Sequence, residues 1–290
     1  MTIPGKRSIG TLRGALVLLA LWGAIKPPAQ LHAAEAGGLR IAWADNYLTI
    51  HGEDLPGDEI KILYLEAYCR AGSTDRDWNA TVVPHRTELI AASDDQQTID
   101  LRCTISDGVT VEHRITANGD EIDFRLRAHN PTDRRSEVHW AQPCIRVDRF
   151  TGRRQEDYLP NCFVFVDGQL TRFPFEPWAA KARYIPGQVW CPRKVPRDDV
   201  NPRPLSDVVP SNGLIGCYSA DGKTIMATSF EPYQELFQGV IVCVHADFRL
   251  GGLPPGERKE IRGKLYVVDA DVPKLLERYE KDFPEHRAGE

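Results

Sequence analysis

Past its first 24 residues the chain has no apolar run approaching the ~20 residues of a membrane-spanning helix. It has no surplus of positive charge, which argues against nucleic-acid binding. No Cys-x-x-Cys or His-x-x-x-His spacing suggests zinc, so no metal ligand and no cofactor is expected. No Gly-x-Ser-x-Gly element supports a serine nucleophile, and no internal repeat is evident.

What is present begins with Lys6, Arg7 and Arg13, an apolar stretch from Gly14 to Ala24 and small residues around Ala33 to Ala36. This is the pattern of a secretory signal peptide over residues 1–36, without a lipobox cysteine, and it predicts a secreted or periplasmic protein with no membrane span after its removal. The remaining 254 residues hold 32 basic and 40 acidic side chains, a net charge of −8. That length suits one all-β domain over 37–290. All seven cysteines lie in the exported part; an odd number leaves at least one unpaired in a monomer, and oligomeric state is not legible.

Nearly every segment after residue 38 has strand character. Leu39–Trp43, Tyr47–His51, Glu59–Tyr68, Thr87–Ala92, Thr98–Ser106, Val109–Ala117 and Glu121–His129 are separated by turn residues such as Asp107-Gly108 and Asn118-Gly119. Later strands are expected at Cys162–Val166, Gly213–Ser219, Thr224–Phe230, Gly239–Val244 and Glu260–Val268, with a hairpin turn at Asp221-Gly222. Short strands with turns about every ten residues indicate packed antiparallel sheets. Leu275, Leu276, Tyr279 and Phe283 predict one helix over Val272–Asp282. Pro174–Pro210 holds eight prolines in 37 residues, too many for a central strand, and reads as an excursion packed over the sheets. Its Arg and Trp residues could close over a ligand or pin a structural flap.

The most informative stretch is the turn Asn130-Pro131-Thr132-Asp133 between strand Asp123–Arg127 and a second strand, Ser136–Val147, read together as a hairpin. On the second strand alternation puts Trp140, Gln142, Cys144 and Arg146 on one face and His139, Ala141 and Ile145 on the other. An indole, an amide and a guanidinium on one face offer a plate and planar donors for a sugar ring. A second candidate is the polar loop Arg70, Ser73, Thr74, Asp75, Arg76, Asp77 and Trp78, with His85 close behind; its arginine forks and carboxylates match vicinal hydroxyls. Its plain structural alternative is a loop held by its own ion pairs. Glu231 ends an apolar strand and is a candidate base, provided partial burial raises its pKa. Glu66, Asp148 and Glu176 are further carboxylates for glycoside chemistry, whose separations one dimension cannot fix.

Residues 101–115, 121–134 and His139-Trp140-Ala141-Gln142-Pro143 together resemble the middle of galactose mutarotase-like, or aldose 1-epimerase-like, domains. Phe230-Glu231-Pro232, then Val244 to Phe248 and Leu253 to Glu257, resemble that family's later segments in the same order. The resemblance, over roughly residues 87–268, implies an antiparallel β-supersandwich with a carbohydrate site on its concave face. It implies Glu231 as general base, with His139 and His245 as the remaining catalytic candidates. Gln142 stands where the family carries its proton-donating histidine, and an amide cannot exchange a proton at neutral pH. No histidine occupies the family's earlier His-Gly-Gly position near Tyr68 to Gly72. His139 would need a β-bulge to reach the site face.

The expected function is an exported protein that acts on or binds carbohydrate through Arg70, Asp75, Asp77, Trp78, His85, Trp140, Gln142 and Arg146. Epimerase, lyase or glycosidase chemistry would need a histidine beside the base. A non-catalytic sugar-binding module would not, and a ligand-free structural protein would have its concave face filled by the excursion.

Overall fold

The computed structural model describes residues 38–286, and the expected signal peptide lies outside the described residues. In chain order the strands are β1 (Arg40–Ala44), β2 (Tyr47–His51), β3 (Glu59–Arg70), β4 (Val82–Val83), β5 (His85–Ala92), β6 (Thr98–Ile105), β7 (Thr110–Asn118), β8 (Glu121–His129) and β9 (Val138–Arg146). They continue as β10 (Cys162–Val166), β11 (Gln169–Arg172), β12 (Gln188–Trp190), β13 (Ile215–Tyr218), β14 (Thr224–Glu231), β15 (Tyr233–Gln238), β16 (Cys243–Arg249) and β17 (Arg258–Asp269). Two α-helices are single turns, α1 (Trp78–Thr81) and α2 (Asp148–Thr151), and the third is α3 (Val272–Asp282).

The first sheet runs β1-β2-β3-β9-β16-β15-β12, with β4 paired to β3; the second runs β11-β10-β13-β14-β17-β8-β7-β6-β5. Their pairings are antiparallel. Two large antiparallel sheets and one C-terminal helix of more than a turn form the expected β-supersandwich. Alternation explains the core: Val111 and Ile115 of β7 and Ile122, Phe124 and Leu126 of β8 turn inward against Ile50, Ile60 and Ile62. Arg125 and Arg127 point out to water.

α3 begins where Asp271 caps it, accepting from the Lys274 amide at 3.2 Å. Its Leu275, Tyr279 and Phe283 bury against Phe163, Phe165, Leu214 and Tyr266, a cluster separate from the inter-sheet core. Asp221-Gly222 is the hairpin turn between β13 and β14, as expected, with Gly222 at φ 73°.

Two expectations are corrected. Asn130 does not join a hairpin: β8 pairs with β7 and β17 in the second sheet, while β9 pairs with β3 and β16 in the first. The Asn130 side chain builds the corner between them. Its Oδ1 accepts from Thr132 N, and its Nδ2 donates to the carbonyls of Arg134 and Leu253, both at 2.8 Å. The strand expected at Gly239–Val244 begins only at Cys243 and runs on to Arg249 as β16; residues 239–242 are the tight connection from β15, with Ile241 exposed. β15 escaped a reading based on alternation because Gln234, Glu235 and Gln238 are buried along with Leu236 and Phe237.

The proline-rich excursion contributes only an edge strand, β12, to the first sheet. From there Val189, Cys191, Val195 and Val200 pack on Phe237 of β15. Farther along, Asp199 Oδ1 accepts from Gly72 N at 3.1 Å and Thr74 Oγ1 donates to the Arg197 carbonyl at 2.9 Å. The excursion therefore crosses the outer face of the first sheet from β15 to the loop after β3. Trp190 stacks on Phe173 at 4.8 Å between centroids, so its aromatics also anchor it.

Candidate functional site

Period two on adjacent strands builds the site. On β9 Gln142 and Cys144 face outward while Ala141 and Ile145 enter the core. On β16 Cys243, His245 and Asp247 alternate with Val244, Ala246 and Phe248 in the core. Glu66 comes from β3, Trp78 from α1, and Asn201 and Arg203 from the excursion above. Together with Phe237, Val240 and Ile241 they enclose a cavity of about 200 Å³, with exposed Glu66 at its mouth.

A chain of hydrogen bonds crosses this cavity. Gln142 Nε2 donates to Glu66 Oε2 at 3.0 Å, and Asn201 Nδ2 donates to Gln142 Oε1 at 3.0 Å. The Asn201 amide donates to both Glu235 oxygens at 3.2 and 3.1 Å. The Glu235 carboxyl is fully buried, and burial pushes its pKa up to about 8. Asp247 is also raised, first by burial and then by the charge of Glu235. Neither Asp247 oxygen has a partner of good hydrogen-bond geometry, and neither does His245 Nδ1, 3.9 Å from Asp247 Oδ1. On its other side His245 Nε2 lies 3.2 Å from Cys243 Sγ.

Of the eleven binding and catalytic residues expected from sequence the structure brings together Trp78, Gln142 and His245, and it adds Glu66 from the further carboxylates. The other eight lie elsewhere. Trp140 is fully buried against Ala67 and Cys69 and donates Nε1 to Ser73 Oγ at 3.0 Å, so it offers no open plate to a ligand. Arg146 lines a separate hollow of about 590 Å³ with Tyr47, Glu59 and Lys61. Arg70 clamps the start of β4, donating to the carbonyls of Ala80 and Val82 at 3.1 and 2.7 Å and to Glu137 at 2.9 Å. Asp77 caps α1 and accepts from Tyr184 OH at 2.8 Å, which with the Asn79 amide and Arg183 holds its carboxyl below the usual range. Asp75 is exposed, and its carbonyl accepts from Arg183. This loop is thus tied to the excursion, in addition to its own local contacts. His85 packs edge-on against Tyr68 at 4.9 Å, where burial lowers its pKa.

The bulge that His139 required is present. Cys69 pairs with Trp140 and Arg70 with Val138, which leaves His139 out of register and sends Val138 to the core. His139 Nδ1 then meets Asp199 Oδ2 at 3.2 Å, an oxygen also held by Arg249 at 3.1 Å. The histidine anchors the excursion and does not line the cavity.

Glu231 is not among the cavity residues either. It ends β14, where its Oε2 lies 2.6 Å from His286 Nε2 and 3.9 Å from Lys194 Nζ. Burial raises its pKa, but the His286 hydrogen bond and the Lys194 charge outweigh burial and hold it below the ordinary glutamate value. The pKa elevation expected of a base is therefore reversed. Glu235 and Asp247 fall outside the strands expected from sequence and Cys243 at the end of one, although Cys243, His245 and Asp247 recur at every second residue. Asn201 and Arg203 carried no signal beyond the composition of the excursion.

No family model matches the chain, and no curated protein matches it. Among solved structures it is similar to a candidate aldose 1-epimerase from Escherichia coli K12, at 11% identity and a TM-score of 0.41, covering 79% of this chain and 98% of that one. It is similar to a galactose mutarotase-like protein from Lactobacillus casei at 9% identity and a TM-score of 0.42, covering 79% and 100%.

Proposed function

We propose that this is an exported carbohydrate-binding protein that holds a single sugar ring between the first sheet and the proline-rich excursion. The observation that carries this reading is the lining of the 200 Å³ cavity: a carboxylate, two amides, a guanidinium and an indole converge on a space suited to one small polar ring. Gln142 and Asn201 are oriented by hydrogen bonds to Glu66, Glu235 and each other, which fixes their remaining donors and acceptors before a ligand arrives. Export is supported by the N-terminal sequence pattern.

A second reading, proton-transfer catalysis on the bound sugar, is favoured by one observation: the carboxylate at the cavity mouth is Glu66, exposed and within reach of a ligand. Glu231 has no part in it. A glycan array, followed by mutarotation and depolymerisation assays on wild type and Glu66→Gln, separates the readings. Binding by wild type with no turnover supports the binder, and turnover abolished by Glu66→Gln supports the enzyme. No glycan retained by wild type contradicts both.

A further inference from the structure

The cavity floor holds a group of side chains that sugar recognition does not require. Cys144 of β9 and Cys243 and His245 of β16 line it, and their ligand atoms all lie within 4.8 Å of one another. Each is only 1% exposed, and each comes from one of two directly paired strands, Val244 lying opposite Ile145. Their backbone positions are therefore fixed by the sheet.

We propose that Cys144, Cys243 and His245 bind one transition-metal ion of borderline softness, zinc(II) foremost, whose fourth position faces the cavity. Two sulfurs and an imidazole are the donor set such ions prefer, and three protein ligands with an open fourth site is the pattern of zinc centres that bind an exogenous molecule. Tetrahedral bonds of about 2.1–2.3 Å place ligand atoms roughly 3.5–3.8 Å apart. The Cys243 Sγ to His245 Nε2 distance is already 3.2 Å, and small side-chain rotations bring the rest of the group into range.

An independent observation is the far side of the imidazole. His245 Nδ1 is buried without a partner and lies 3.9 Å from Oδ1 of Asp247, a buried carboxyl whose other close neighbour is the carboxyl of Glu235. A metal on Nε2 puts the imidazole proton on Nδ1, facing that carboxyl, in the carboxylate–histidine–metal arrangement that orients metal ligands. The two thiols lose their protons on binding, and the two thiolates balance the charge of a divalent cation. Exposed Glu66 and Ile241 line the same cavity, so it opens to solvent.

The test uses the reduced, folded mature chain. Cobalt(II) addition is expected to give thiolate-to-cobalt charge transfer and tetrahedral ligand-field bands. Zinc(II) titration with native mass spectrometry is expected to give one ion per chain. Cys243→Ser and His245→Ala should abolish both signals, and Cys217→Ser, which alters a buried cysteine of the second sheet, should leave both intact. Asp247→Asn retains all three ligands and should weaken zinc about 10- to 100-fold. Circular dichroism checks each variant for folding. Reduced wild type that binds no more zinc than folded Cys243→Ser, or a chain purified without reductant that carries a Cys144–Cys243 disulfide in place of metal, overturns the proposal. Because the signals are read without sugar, failure here leaves the carbohydrate reading standing, and failure of that reading leaves this one standing.

Discussion

Glu231 looks like a base at the end of an apolar strand, yet His286 and Lys194 hold it as a structural carboxylate. Glu231→Gln is expected to leave sugar binding unchanged and to cost about 1.5–3 kcal/mol, the ordinary worth of a hydrogen bond to a charged group, measurable as a shift in urea midpoint. Trp140 looks like a sugar platform and is a packed core residue. Trp140→Ala should cost roughly 3–5 kcal/mol, read by thermal unfolding, because it opens a void beneath Ser73. Gln142 was legible as a site residue because β9 alternates regularly from Trp140 to Arg146. His139 was not, because its direction depends on one bulge that local sequence does not encode.

Sequence periodicity marks an element clearly where one of its faces is wet. β7 and β8 alternate buried and solvated residues, and α3 carries its apolar positions at helical spacing below a capping aspartate. β15 is harder to read because the excursion covers its outer face: Gln234, Glu235 and Gln238 are buried as fully as Leu236 and Phe237, and polar and apolar residues do not alternate along it. The excursion is held by a small number of polar anchors, chiefly Asp199, which bonds Gly72, His139 and Arg249. Asp199→Ala is expected to leave those donors without their carboxylate and to loosen the segment. The measurement is amide hydrogen exchange: protection should fall across residues 196–206 and remain unchanged in β6 to β8.

Across the whole molecule the sandwich buries titratable groups between its sheets as well as between the first sheet and the excursion. His113 lies in the inter-sheet core, with Tyr64 OH 2.9 Å from its Nδ1, and burial lowers its pKa to about 3. A histidine held neutral in the folded state but free to protonate at about 6.5 when unfolded stabilises the fold above pH 6.5, and that contribution is lost as pH falls toward 3. The loss should reach on the order of 4 kcal/mol by pH 3, and His113→Gln should flatten this part of the stability profile in urea titrations between pH 7 and 3. The fold class was legible because it follows from strand period and turn spacing. The site was only partly so, because it is assembled from β3, β9, β16, α1 and the excursion, whose relative placement is a property of the closed sandwich.

The central claim is that sugar binds between the first sheet and the excursion. Its most direct measurement is calorimetric titration of an array-selected sugar into wild type, Asn201→Ala and Glu231→Gln. Affinity should fall at least tenfold in Asn201→Ala, which loses a positioned amide from the cavity, and should match wild type in Glu231→Gln. Full affinity in Asn201→Ala together with a large loss in Glu231→Gln would contradict the account and move the site to the end of β14.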